Sequence, residues 1–483
     1  MDFRTVTELS ALLQARQVSA LELTESAIRR IEAHDGRLNA VVVRDFQRAR
    51  AAAGEADAAL GRGERRPLLG VPMTVKECAD VAGLPTTWGI PGTETTPAAA
   101  DAVAVARLKA AGAIVLGKTN VPLHLADWQS YNAIYGTTSN PWDTTLSPGG
   151  SSGGAAAALA AGYVALELGT DIGGSLRVPA SFCGVFAHKP TWGIVPMRGI
   201  APPGTPALSI PVAVDLAVAG PMARCAADLE LALGVVAGPD DADAVALRLA
   251  LPPPRHGRLQ DFRVLVVDEH PLLPTAAEVR AALGGIAEGL QRCGARVERS
   301  TPLLPDLAHA GRVYTRLLMA VFGADLDDDV YARRQTAAAR LAGRADSLDD
   351  LRAAGVVMTH RDWLRTDHVR LAIADRWRRL FQDFDVLLCP VMPTPAFAHD
   401  HGDFNGRRIT VDGAEVPYVD QTMWPSLATL TGLPATAMPA GRSEGGLPIG
   451  MQIVGPAFED RTTLAFSGLL EREFGGFAAP PAL

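Results

Sequence analysis

Lysine is nearly absent from this chain. Of its 45 Lys and Arg residues only Lys76, Lys109, Lys118 and Lys189 are lysine, and none follows Lys189. A bias toward arginine replaces lysine wherever any cation suffices. Arginine cannot lose its proton near neutrality, whereas a desolvated lysine can, so each survivor is a candidate for needing an amine. Cysteine is scarce as well. Cys78, Cys183, Cys225, Cys293 and Cys389 are odd in number and form no C-x-x-C pair. That argues against a disulfide framework or a cysteine zinc site and points to a reducing compartment. Basic blocks are missing and the net charge is −8, so neither nucleic acid nor an anionic membrane is expected as a partner. No apolar run reaches the ~20 residues of a membrane span. The longest, Ala155 to Gly169, is interrupted by Glu167. The start, Met1 to Thr7, lacks the basic-then-apolar order of a secretory signal. A cytoplasmic protein is expected.

What is present is ordinary globular material, 48% hydrophobic and 20% charged, enough for a large core. Ser19 precedes an apolar rhythm (Leu21, Leu23, Ile28, Ile31) that stops at Asp35-Gly36, the pattern of a capped helix. Short apolar runs then alternate with helical stretches. Strands are expected at 67–75, 113–116, 163–168, 262–267, 296–298, 383–389 and 449–454. Helices are expected at 101–111, 155–161 and 276–293. Such alternation predicts an α/β fold with a mixed central sheet covered by helices. The chain reads as one domain, 1–483. It has an N-terminal helical part (1–66), a motif-rich core (67–200), a hinge-like stretch at 238–257 and a charged helical insertion at 305–381.

The most distinctive run is Pro148-Gly-Gly-Ser151-Ser152-Gly-Gly154. A flexible linker fits poorly between patterned segments, and no Gly-Lys-Ser/Thr follows to make a phosphate loop. Gly149-Gly150-Ser151-Ser152-Gly153 satisfies G-x-S-x-G, with His399 or His401 as the partner base, but a nucleophile elbow needs a strand just before it. Ser139 to Pro148 is turn chemistry instead. Ser175 follows in Gly169-Thr-Asp-Ile-Gly-Gly-Ser-Leu-Arg177, after an apolar strand and before a helix. It reads either as a plain turn with a helix cap or as a nucleophile among backbone N–H groups able to hold an oxyanion.

These segments, with Gly70-Val-Pro-Met-Thr-Val-Lys76-Glu77, Val115-Leu-Gly-Lys-Thr-Asn120 and Cys183-Gly-Val-Phe-Ala-His-Lys-Pro-Thr191, resemble the amidase signature family. The likeness is dense from Gly70 to Pro196. It implies a Ser–Ser–Lys triad with Ser175 as nucleophile, Ser151 as the bridging serine after a cis peptide bond, and Lys76 as base. It further implies an oxyanion hole from the backbone of Ile172, Gly173, Gly174 and Ser175, and an Asp171–Arg177 pair that holds the loop. Glu77 stands where many members carry Asp. The chemistry is coherent, because a buried lysine can be neutral and serve as base without a histidine. The implied activity is hydrolysis of a linear amide C–N bond through an acyl-enzyme. No cofactor and no metal are expected, the partner is a small-molecule amide, and a homodimer is compatible. The rivals are a glutamine-dependent amidotransferase component of tRNA charging and a His-dependent esterase.

Trp128 and Tyr131, with Tyr135 nearby, are candidate pocket residues, as are Ser152 and Thr170. For Trp128, Tyr131, Tyr135 and the later Trp424, plain packing stays open. His399-Asp-His401-Gly-Asp403 and the acidic run Asp325 to Asp329 read as solvated segments.

Overall fold

The computed structural model describes residues 2–204, 214–341 and 347–481. The central element is an eleven-stranded mixed sheet. In chain order its strands are β1 (Val41–Arg44), β2 (Pro72–Lys76), β3 (Ile114–Thr119), β4 (Leu166–Asp171), β5 (Phe186–Lys189), β6 (Val218–Ala223), β7 (Arg263–Val266), β8 (Arg296–Glu298), β9 (Val386–Pro390), β10 (Ala435–Arg442) and β11 (Pro448–Val454). Their order across the sheet is β1-β3-β2-β4-β6-β5-β10-β11-β9-β7-β8. β2 runs parallel to both β3 and β4, whereas β6 turns back antiparallel to β4. The central strands are buried along their whole length, as strands covered on both faces must be.

The helices are α1 (Val6–Gln14), α2 (Ala20–Leu38), α3 (Phe46–Gly61), α4 (Val103–Ala110), α5 (Gly153–Ala160), α6 (Arg177–Cys183), α7 (Ala226–Val236) and α8 (Ala277–Arg292). Then follow α9 (Leu307–Gly323), α10 (Asp328–Ala339), α11 (Leu348–Val356), α12 (His360–Asp383), α13 (Met423–Thr429) and α14 (Asp460–Phe474). No helix among the described residues is long and apolar enough to cross a membrane.

Several boundaries differ from the sequence expectation, each for a local reason. α2 begins where Ser19 and Glu22 form the capping box, but it continues past Gly36 to Leu38. The stop is Asn39, held in the left-handed conformation at φ 55°. The strand expected at 67–75 starts only at Pro72, because Gly70 turns the chain with φ +84° and its N–H reaches Gly112. It runs one residue further, to include Lys76. The 1–66 part is not purely helical, since β1 pairs antiparallel with β3 at the sheet edge. β5, β6 and β10 have no counterpart among the expected strands. The 305–381 segment does form helices α9 to α12. No strand precedes Gly149, only an isolated bridge at Leu146, so the context an elbow requires is missing.

Two facing glycines set the floor beneath the Ser175 loop. Gly169 of β4 pairs with Gly220 of β6. A β-carbon on Gly169 would stand 2.7 Å from Leu176 and 2.9 Å from the Ser152 hydroxyl. On Gly220 it would stand 2.2 Å from the His188 carbonyl oxygen and 2.9 Å from Leu176. The bare strands let Leu176, and with it the adjacent Ser175, settle onto the sheet. Gly220→Ala should therefore lower stability by roughly 1–3 kcal/mol. Urea unfolding should show this as a lower midpoint at unchanged slope. An unchanged midpoint would mean that β6 tolerates a side chain at this position.

Candidate active site

Lys76 is the last residue of β2, in the sheet interior, with no exposed surface. Its Nζ donates to Ser151 Oγ at 2.7 Å and to Thr170 Oγ1 at 2.8 Å. Burial disfavours the ammonium and pulls the lysine down to about 8, while Cys78, Asp171 and Glu167 oppose the shift. Burial thus brings the free amine of Lys76 within reach of neutral pH.

Ser151 stands at the mouth of α5, and the Gly150–Ser151 peptide bond is cis. Gly150 passes so close to the neighbouring chain that a β-carbon there would lie 2.4 Å from the Asp127 carbonyl oxygen. Only glycine fits at that approach. Ser130 clamps the same turn, donating to the Gly149 carbonyl at 3.2 Å and accepting from the Gly153 N–H at 3.0 Å. The Ser152 N–H donates to the Ser175 carbonyl at 3.2 Å. The two serine segments are thereby joined directly.

Ser175 lies in the turn between β4 and α6, and that turn is fixed by a fully buried ion pair. Asp171 accepts from the Gly174 N–H at 2.9 Å and the Leu176 N–H at 3.1 Å. It also takes Arg177 Nε at 3.0 Å and Nη2 at 2.8 Å. Burial works against the Asp171 charge, yet Arg177 holds the carboxyl below its usual range. The remaining Arg177 donors go to Pro425 O at 3.0 Å, Gln452 Oε1 at 2.7 Å and Thr429 Oγ1 at 2.8 Å. On the other side of the turn, Tyr314 of α9 donates to the Ile172 carbonyl at 2.8 Å and Trp128 Nε1 donates to the Gly173 carbonyl at 2.9 Å.

The structure redistributes some of the expected roles. The Gly174 N–H, expected in an oxyanion hole, is spent on Asp171. Trp128 is buried, with its indole bonded to the loop and its ring against Tyr418 and Phe404. Thr170 faces Lys76, and the Ser152 hydroxyl lies against the Thr170 carbonyl at 3.4 Å. The Tyr131 hydroxyl accepts from Arg407 at 2.6 Å, and its ring stacks on His401 with centroids 3.8 Å apart. Trp424 is fully buried and donates to Thr275. Tyr314, Thr429, Gln452 and Glu167 are additions that the sequence reading misses. The first three reach the site from 142 to 275 residues away, where no local pattern marks them. Glu167 shows in the sequence only as a charge breaking an apolar run.

Removing one partner of a buried pair strands the other charge, which costs roughly 3–5 kcal/mol. Arg177→Met should show a loss of that order in denaturant unfolding, and Asp171→Asn,Arg177→Met should recover part of it. Equal stability of the single variant and the parent would contradict the anchoring role.

A family model described as Amidase matches residues 22–464. The chain is 34% identical to a glutamyl-tRNA(Gln) amidotransferase subunit of Roseiflexus castenholzii over 97% of this chain and 95% of that one. Among solved structures it resembles a bacterial aryl acylamidase of the amidase signature family at a TM-score of 0.81 and 27% identity, covering 98% of this chain and 97% of that chain. It also resembles a protein from a vestigial complex tied to the origins of an s-triazine catabolic enzyme, at a TM-score of 0.81 and 32% identity, covering 97% of this chain and 98% of that chain. With a family model spanning most of its length and the same fold in its structural neighbours, the chain belongs to the amidase signature family.

Proposed function

We propose that the protein hydrolyses a small-molecule carboxylic amide, with Ser175 as nucleophile, Ser151 as proton relay and Lys76 as terminal base. The observation that carries this reading is the buried 2.7 Å contact between Lys76 and Ser151, next to the turn that presents Ser175. A serine hydroxyl needs a base to become a useful nucleophile. The Lys76 amine takes the proton of Ser151 as Ser151 takes that of Ser175, and the Ser175 oxygen bonds to the amide carbon. Negative charge moves to the carbonyl oxygen, where the amides of Ile172, Gly173 and Ser175 are the remaining donors. The C–N bond then breaks. Lys76 returns the proton through Ser151 to the leaving nitrogen, and an ester remains on Ser175. Water, deprotonated along the same path, releases the acid.

The name of the curated relatives favours a second reading, in which the amide is glutamine and the chain works within an amidotransferase. Both readings share the acyl-enzyme. Ammonia release from glutamine, measured beside a panel of aliphatic and aryl amides, separates them. The esterase reading lacks the strand before Gly149 that an elbow requires.

Ser175→Ala should abolish turnover with the fold retained, and a fluorophosphonate should label Ser175 alone. Labelling at Ser151 or Ser152 would overturn the assignment. Lys76→Arg cannot supply an amine and should lose several powers of ten in kcat, about as much as Lys76→Ala. His399→Ala and His401→Ala should both remain active. In the parent enzyme kcat/KM should rise with pH along a limb centred near 8, because the base form of Lys76 grows as its proton leaves. A limb centred at the ordinary lysine value, or one absent between pH 6 and 10, would remove Lys76 as the base.

A further inference from the structure

The mechanism above leaves one buried acid unused. Glu167 lies in β4 at 1% exposure, paired across the parallel strand with Thr74, two residues before Lys76. Thr119, which pairs with Lys76 from the other side in β3, reaches across β2 and donates its hydroxyl to Glu167 Oε1 at 2.8 Å. Oε2 accepts from the Leu168 N–H at 2.9 Å. The carboxyl group is thus pinned in the same dry layer as the lysine. The other acids of this layer have close cationic partners: Asp171 has Arg177 at 2.8 Å and Glu77 has Lys118 at 4.0 Å. Glu167 is held by a hydroxyl and an amide instead.

The geometry points to Glu167 as a positioning residue for Lys76, a buried carboxyl group whose charge sets how basic the lysine amine is. This rests on the amide-hydrolase reading for its catalytic meaning, though not for its test. The ionisable groups around the pair are few. β2 and the turn after it bring Lys76, Glu77 and Cys78, β3 brings Lys118, and β4 brings Asp171. α5 (GGAAAALA) and β6 (VAGPMA) carry none. On α2, which also packs on β2, the buried Asp35 is engaged by Arg44 and by the N–H groups of Ala40 and Val41. Glu77 has the Lys118 ammonium 4.0 Å away and accepts from the Thr87 and Trp88 N–H groups, and Asp171 is paired with Arg177. Burial raises Cys78 as a thiol, so it stays uncharged. Glu167 is therefore the acid near Lys76 whose charge is not already matched by another cation. Burial pushes it up to about 8, with the Thr119 and Thr74 hydroxyls, the Leu168 amide and then Lys76 opposing. Its carboxylate and the Lys76 ammonium stabilise one another in the range where the base must act.

A more basic amine is a better proton acceptor but is free less often near neutrality. Removing the Glu167 charge should move both properties at once. The lysine scarcity makes this measurable, because selective 13C labelling at lysine Cε gives four signals, one for each lysine. The Lys76 signal is assigned by its loss in Lys76→Arg. In Glu167→Gln, which keeps the acceptor for Thr119, the Lys76 titration midpoint should fall by on the order of one pH unit. The same downward shift, smaller, should follow Thr119→Val, which withdraws support from the carboxylate without deleting it. An unchanged midpoint in both variants would overturn the inference, as would an upward shift in either. With an amide substrate, Glu167→Gln should gain kcat/KM relative to the parent on the acid side and lose it on the alkaline plateau, so the two profiles cross. A uniform drop with no displacement of the limb would mean a packing role only. A Lys76 shift in a protein that cleaves no amide would leave the coupling standing and sink the functional reading instead.

Discussion

The site depends first on the ion pair between Asp171 and Arg177. One carboxylate organises the turn by accepting from two backbone N–H groups and from Arg177 in a forked contact, and Arg177 spends its other donors on α13 and β11. Such a buried pair adds little net stability over a well-packed apolar substitute. What it supplies is geometry. Every polar atom of the pair points at a particular partner, so the turn between β4 and α6 is over-determined. Tyr314 and Trp128 tie the Ile172 and Gly173 carbonyls, which restricts how the peptide planes of those residues can rotate. On the proposed reading the turn offers N–H groups to a developing charge, and it then has to be rigid before the substrate arrives, because reorganisation at that moment would raise the barrier.

The second constraint is dryness. Lys76, Lys118 and Lys189, three of the four lysines, are completely buried, and each is handled differently. Lys118 is matched by Glu77 and bonded to Pro85 and Thr86. Lys189 bonds to the Pro190 carbonyl, and burial together with Arg177 pulls it down to about 7. Burial lowers all three, and of the three Lys76 is the one whose amine meets two side-chain hydroxyls.

Much of this site is legible in the amino-acid sequence, and the reasons are physical. The Gly-Ser run, the Gly-Gly-Ser turn and the isolated Lys76 are dense local patterns, but spacing alone leaves their roles open, and it is the resemblance to the amidase signature family that joins them. Lysine scarcity narrows the search to four candidates, although Lys109 is spent on an ion pair with Asp101 that any cation could make. Strand and helix ends escape the sequence reading where one residue in special conformation decides them, as at Gly70 and Asn39. β6 and β10 escape it because their pattern is weak: Val218-Ala-Gly-Pro-Met-Ala223 carries both Gly and Pro, which ordinarily argue against an interior strand. The structure shows why they are tolerated, since Gly220 makes room for Leu176. Trp128 shows the limit of reading aromatics near a motif, because packing and pocket lining leave the same trace in a sequence.

The residues that evade sequence reasoning share one property. Tyr314, Thr429 and Gln452 act through single hydrogen bonds made across long chain separations, and each comes from an element whose own periodicity is satisfied by ordinary packing. Tyr314 is the sharpest case. It belongs to α9, within a segment that reads as a charged insertion lying over one side, yet its hydroxyl reaches the carbonyl of Ile172. A segment that bonds to the Ser175 turn helps to set the shape of that turn. The local motifs therefore specify the chemistry, while the distant helices and strands specify how firmly its parts are held.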